Sequence, residues 1–293
     1  MRLIRTHAAL LGVSLCSCTA AAQPEVFDNF NDGNDAGWVR FVDGLDYPDG
    51  PYSYDASSGA YTLSAAIGLP FGAEAEGPAA ISNTSLAPRY SEGTWRVRFR
   101  LNSLATTAAI AARLRILPDE SSVSYLLALN GHKSESMWLV KVGGRDASDD
   151  VLLATVSRAE VDVSVAADWF AELSTIGAEI TFRAWPATSP RPAAPIRSLT
   201  DTDHASGQLA LLAFKEPDSP SGRTSATFDD IEFTPAPPAC PADFNRDGFV
   251  DFFDADDFVL AFESGDPRGD FNDDGFIDFF DFDDFVLAFE TGC

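Results

Sequence analysis

The stretch Trp95-Arg96-Val97-Arg98-Phe99-Arg100-Leu101 alternates apolar and cationic side chains without a break. A period of two puts the four apolar groups on one side of an extended backbone and the three guanidiniums on the other, which is a strand with one buried face. Working outward, strand-like runs recur at Val123 to Leu129, Met137 to Val142, Trp169 to Ser174, Ile180 to Trp185, Gln208 to Phe214 and Ala226 to Phe233. Between them lie Gly, Pro, Asp, Asn and Ser, the residues that turn a chain. Residues 23–233 are therefore expected to form two packed β-sheets.

A double-sheet jelly roll is the expected architecture for such a run of short strands. Arg96, Arg98 and Arg100 project from one side of their strand, and with Trp138 or Trp185 close by they would make a face able to clasp and stack on a sugar. The plainer reading of the same residues is a solvated arginine face and tryptophans in the core.

Phe27-Asp28-Asn29-Phe30-Asn31-Asp32-Gly33 with Gly37-Trp38 at the start, and Phe228-Asp229-Asp230-Ile231-Glu232-Phe233 at the end, resemble the concanavalin-like, laminin-G-like sandwich of bacterial secreted proteins. That resemblance implies a fold rather than a reaction. It also implies one structural calcium near the paired terminal strands, with Asp28 and Asp229 as its ligands; an exposed turn is the alternative role for these aspartates.

Family 16 glycoside hydrolases carry their carboxylates on one strand as Glu-x-Asp-x-(x)-Glu, and Glu160-Val161-Asp162-Val163-Ser164-Val165 comes nearest but lacks the second glutamate. A retaining glycosidase needs two carboxylates, so this segment reads as an ordinary surface strand and no catalytic residue is assigned. His7, His132 and His204 are scattered and suggest neither a zinc cluster nor a nucleophile-base pair.

The C-terminal region is a duplication. Asp243 to Glu263 and Asp270 to Glu290 match at 18 of 21 positions. In the first copy, oxygens fall at Asp243, Asn245, Asp247, the carbonyl of Phe249, Asp251 and Asp254, which are loop positions 1, 3, 5, 7, 9 and 12; the second copy repeats them at Asp270, Asn272, Asp274, Phe276, Asp278 and Asp281. Alternate hard oxygens with glycine at position 6, here Gly248 and Gly275, are what a calcium loop needs. Two calcium ions are expected. Proline and glycine before each loop argue against an entering helix, while Phe258 to Phe262 and Phe285 to Phe289 suit a helix after it.

This loop-helix duplication resembles the dockerin module of polysaccharide-degrading systems, and the resemblance implies a cohesin-like or other protein partner. Phe252, Phe253, Phe279 and Phe280 stand at loop positions 10 and 11, where dockerins commonly carry small or polar residues. These phenylalanines are either an apolar partner surface or the core of a very small domain.

The chain carries a formal charge of −25. From Ala236 onward 14 Asp and 2 Glu stand against Arg246 and Arg268, so the loops repel themselves and folding of this module is expected to need calcium. So acidic a chain is a poor ligand for nucleic acid.

Residues 1–22, with Arg2, Arg5, an apolar run from Ala8 to Leu15 and a close of Ala20-Ala21-Ala22, read as an export signal too short to span a membrane. No later stretch is long enough to be a transmembrane span either. Lipid anchoring at Cys18 is the minor alternative. The mature chain keeps Cys240 and Cys293, which bracket the duplication. In an oxidising compartment they are expected to pair, closing a loop worth roughly 4 kcal/mol; a metal held by the two thiols is the alternative. Residues 234–239 form a Pro-rich linker and 240–293 the calcium module.

The expectation is a secreted or cell-surface protein in which a non-catalytic sandwich binds glycan or a surface component and is carried on a calcium-folded tether. A glycan-cleaving sandwich and a purely structural protein are the alternatives.

Overall fold

The computed structural model describes residues 24–42, 52–65, 78–82, 90–118, 121–144, 147–216, 219–236, 240–245, 250–272 and 274–292. These fall into two compact units, one through Ala236 and one from Cys240. The export segment, Asp247, Gly248, Phe249 and Cys293 lie outside the described residues.

In the first unit the strands are β1 Glu25–Asp28, β2 Trp38–Val42, β3 Tyr52–Asp55, β4 Tyr61–Ala65, β5 Pro78–Ser82, β6 Gly93–Leu101, β7 Thr107–Ile116, β8 Ser122–Asn130, β9 Glu135–Val142, β10 Val151–Ser157, β11 Asp168–Ile176, β12 Glu179–Pro186, β13 Arg197–Thr200, β14 Gln208–Phe214 and β15 Thr224–Pro235. One sheet runs β13-β12-β11-β6-β15-β4-β3 with β1 added on β15, and the other runs β10-β9-β8-β7-β14-β5-β2. The sandwich expected from alternation is the fold.

The core lies where the two inner faces meet. Trp95, Val97, Phe99 and Leu101 of β6 pack there with Ile110 of β7, Tyr125 and Leu127 of β8, Leu173 of β11 and Phe228 of β15. Full burial of such a side chain is worth about 1.5–3 kcal/mol, so the face of β6 that turns inward is fixed, and Arg96, Arg98 and Arg100 must turn out.

Of the register shifts among the described strands, those in β15 and β7 bear on the outer face and on one end of the sandwich. β15 shifts register between Asp229 and Glu232, and Asp230 there takes φ 45°, a left-handed conformation unusual for a residue with a side chain. The shift is a bulge, which re-aims acidic side chains at β6. β7 shifts between Ala112 and Arg115, and Arg113 there takes φ 54°. Its buried guanidinium donates to the carbonyls of Ser91 and His204, both at 2.9 Å, and to Glu92 at 2.8 Å. This arginine closes one end of the sandwich.

Two local expectations are corrected. Residues 158–167 are turn and loop rather than a surface strand: Val163 is drawn into the core, while Glu160 pairs with Arg197 and Asp162 with Arg158. Thr234 and Pro235 belong to β15 rather than to a linker, held by pairing with Thr94 and Gly93.

The second unit contains α1, Phe252–Ser264, and α2, Phe279–Thr291. Each starts earlier than its apolar run because a capping box begins it. Asp251 and Asp278 are the N-caps, and the side chains of Asp254 and Asp281 reach back to the cap backbone. Gly265, at φ 70°, ends α1 in the left-handed conformation that glycine permits. A short 3-10 turn, Pro267–Gly269, precedes the second loop. Among the described residues no helix is long and apolar enough to cross a membrane.

Candidate functional site

The outer face of the β6 sheet is built by register. Arg100 lies opposite Asp168, Arg98 opposite Phe170 and Arg96 opposite Glu172 on β11; on the other flank Asp229 lies opposite Arg98 and Glu232 opposite Arg96. Side chains paired this way share a face, so a row of arginines is bordered on both sides by carboxylates.

A cleft of about 210 Å³ opens at one end of this row, lined by Arg98, Arg100, Asn102, Asp168, Thr227 and Asp229. Arg98 Nη2 donates to Asp168 Oδ2 and Arg100 Nε to Asp168 Oδ1, both at 2.5 Å. Arg98 also faces Asp229 at 3.8 Å and Asp230 at 3.4 Å. Asn102 Nδ2 donates to Ser225 Oγ at 3.0 Å and to Thr227 Oγ1 at 2.9 Å.

The two carboxylates differ in proton affinity. Hydrogen bonding from Arg100 outweighs burial and, with Arg98, holds Asp168 below the ordinary carboxyl range. Burial pushes Asp229 up, opposed by the amide of Asp230, which donates to it at 2.8 Å, and aided by the Asp230 charge.

Of the residues expected to face a glycan, the three arginines do share this face. Trp138 does not. It lies on β9 in the other sheet, half-buried against the cluster of Ala109, Ala128 and Phe214, with Lys133 Nζ 5.4 Å from its ring centroid. Trp185 is the tryptophan beside the arginines: it stacks on Phe170 at 5.5 Å, and Arg96 lies over Phe170 at 5.2 Å. Trp185 is only 4% exposed, so Phe170, half-buried, is the aromatic that solvent reaches.

β1 pairs with β15 so that Asp28 lies opposite Ile231, two residues beyond Asp229. Asp28 accepts from the amide of Phe30 at 2.8 Å and from Trp38 Nε1 at 2.7 Å, while Asp229 faces Arg98 on the outer sheet surface. Turn and ring contacts engage Asp28, whereas an ion pair with Arg98 and the amide of Asp230 engage Asp229.

In the second calcium loop, Asp270 accepts from the amides of Asp274 at 3.1 Å and Gly275 at 2.9 Å, and Asn272 from Asp274 at 3.0 Å. Gly275 takes φ 89°, the turn expected at position 6. Burial alone would raise the Asp281 carboxyl, but amides of Asp278, Asn272 and Phe271 hold it below the ordinary range. In the described part of the first loop, Asp254 accepts from Asn245 and Asp251, both at 2.9 Å. Asp254 and Asp281 are fully buried carboxylates. The oxygens in both loops are of the hard kind calcium takes, in calcium-loop order. Among the described residues no three carboxylate, His or Cys side chains gather closely enough to hold a metal.

Phe252, Phe253, Phe279 and Phe280 are 65–72% exposed, so they are not the module's core. That core is Phe244, Phe258, Phe271 and Phe285, two equivalent pairs from the two repeats. Cys240 is disulfide-bonded.

No family model and no curated protein matches this chain. Solved structures do resemble it. The catalytic domain of an endo-1,3-beta-glucanase (laminarinase) from Thermotoga petrophila RKU-1 superposes with a TM-score of 0.50 at 9% identity, covering 74% of this chain and 100% of that one. A Bacillus licheniformis beta-glucanase gives 0.49 at 10% identity over 74% and 100%. The carbohydrate-binding module CBM66 from Bacillus subtilis gives 0.46 at 12% identity over 69% and 98%. The likeness to the laminarinase domain, at such low identity, shows the fold alone: the first unit is a jelly-roll β-sandwich.

Asp168, Asn102 and Thr227 were missed in the sequence. The signal was present: Asp168 and Glu172 stand four apart on a strand, on one face, with the spacing of Arg100 and Arg96 on β6.

Proposed function

We propose that the sandwich recognises a saccharide at the Arg98 cleft, in an exported protein whose C-terminal duplication is a dockerin-like calcium module that docks to a protein partner. The observation that carries the first part is the cleft itself. Two guanidiniums, two carboxylates, an amide and a hydroxyl converge in one open recess, and vicinal sugar hydroxyls need such alternating donors and acceptors. The fold shared with glucanases and a carbohydrate-binding module supports it by analogy.

The module part is supported by loop spacing and donor chemistry. Calcium would neutralise the mutual repulsion of the loop carboxylates; Asp243, Asn245, Asp247, Asp251 and Asp254 would hold one ion, and Asp270, Asn272, Asp274, Asp278 and Asp281 the other, each with a Phe carbonyl. The exposed Phe252, Phe253, Phe279 and Phe280 support an apolar docking surface, and the disulfide at Cys240 supports pairing with Cys293.

A glycan-cleaving reading is favoured by one feature. Asp168 and Asp229 sit in one cleft with opposed proton affinities, the pattern that assigns an ionised and a protonated carboxyl in glycosidases. Titrating the full chain against a neutral oligosaccharide panel, with reducing-sugar release measured in parallel, tests both. Binding without release, lost in Asn102→Leu, supports recognition. Release abolished by Asp229→Asn supports cleavage, and neither binding nor release rejects the cleft.

A further inference from the structure

A second recess lies farther along β6 on the same outer face. It holds about 240 Å³ and is walled by Thr94, Arg96, Glu172, Arg191, Glu232 and Thr234, with Pro24 at its edge. Arg191 grips Glu172 with both arms of its fork, Nε to Oε1 and Nη2 to Oε2, each at 2.7 Å. Arg183 of β12 reaches the same carboxylate at 3.4 Å, and Arg96 pairs with Glu232. Three guanidiniums therefore share two carboxylates, a local surplus of positive charge in a chain of net charge −25.

Arg96 also lies over the Phe170 ring and Arg183 Nη2 donates to the carbonyl of Ala193 at 3.3 Å, yet not every donor is met. The Nε groups of Arg96 and Arg183 are buried and have no hydrogen-bond partner. Burial, and then the charge of Arg191, pull Arg183 below the ordinary arginine range, with Glu172 offsetting them only in part. Buried donors without acceptors are costly, and arginine forks match planar or tetrahedral oxyanions.

We infer that this recess binds the anionic group of an acidic saccharide, a carboxylate or a sulfate ester. The inference rests on the sandwich being a saccharide binder and specifies the class. Thr94 and Arg100 are six residues apart on β6, about 20 Å, so one extended oligosaccharide along that strand reaches both recesses.

Calorimetric titration of the full chain tests it with four probes: sodium sulfate, a galacturonate tetramer, a sulfated galactose tetramer and the neutral galactose tetramer. Either anionic tetramer should bind at least about tenfold more tightly than the neutral one, with affinity falling as salt rises. The better of the two identifies carboxylate or sulfate as the source. Thr234→Glu leaves every arginine in place and adds one negative charge at the wall; it should remove this preference, while Thr234→Gln keeps it.

Equal binding of neutral and anionic tetramers, or equal behaviour of the two Thr234 variants, would overturn the inference. If only the neutral tetramer binds, and Asn102→Leu abolishes that binding, the acidic class falls while the proposed function stands. Sulfate binding with no saccharide binding would overturn both.

Discussion

Phe258 and Phe285, the same position in the two repeats, stack face to face with ring centroids 4.0 Å apart and planes 8° from parallel. Phe244 and Phe271, again equivalent, meet that stack edge-on: Phe244 lies 5.5 Å from Phe258, and Phe271 lies 5.5 Å from Phe285. The duplication thus builds its core from its own internal symmetry, and each half completes the other.

Phe258→Ala should accordingly cost about 3–5 kcal/mol and melt α1 and α2 together. Phe252→Ser with Phe253→Ser should change stability by only about 0.5 kcal/mol or less per site, since both rings are exposed. Helical circular dichroism during thermal unfolding of the full chain checks this. Loss of the helices in the Phe252, Phe253 variant would return those rings to the core.

The cleft carboxylates should shift stability in opposite directions. Asp168 is held below its ordinary value of 3.8, so its ion pairs stabilise fully above that pH and are lost as pH falls through the folded value. Asp229 is raised above 3.8, so its contribution is complete below that pH and is lost as pH rises through the folded value. At pH 7, Asp168→Asn should lower the melting temperature and Asp229→Asn should leave it unchanged or raise it. The deficit of Asp168→Asn should shrink as pH falls below 3.8 and through the lowered folded value. A deficit constant from pH 7 to pH 2 would contradict the assignment.

If the duplicated loops bind calcium, chelator should selectively destabilise the helical unit of the full chain, and titration should recover it with close to two ions per chain. Asp243→Ala with Asp270→Ala should abolish the response while leaving the sandwich transition in place. Helicity and melting unchanged by chelator would remove calcium from the module.

The sandwich was legible wherever one face of a strand is buried, because apolar and polar residues then alternate, as in Trp95 to Leu101. β7 was not legible. Its Thr107, Ala108, Ala109, Ile110, Ala111 and Ala112 are buried on both faces, which erases the alternation, and alanine is a weak strand former. The arginine side of the cleft could be read from β6 alone. Its acidic side depends on register and on the Asp230 bulge, which bring β11 and β15 beside β6 from 68 and more residues away.

Which outer face meets the ligand is the central question, and two half-buried aromatics report on it separately: Phe170 beside the arginine row and Trp138 on the opposite sheet. Hydroxyl-radical footprinting of the full chain, with and without saturating oligosaccharide, measures both in one experiment. Protection of Phe170 with Trp138 unchanged is the expected result. Protection of Trp138 with Phe170 unchanged would contradict it and move the binding surface to the other sheet.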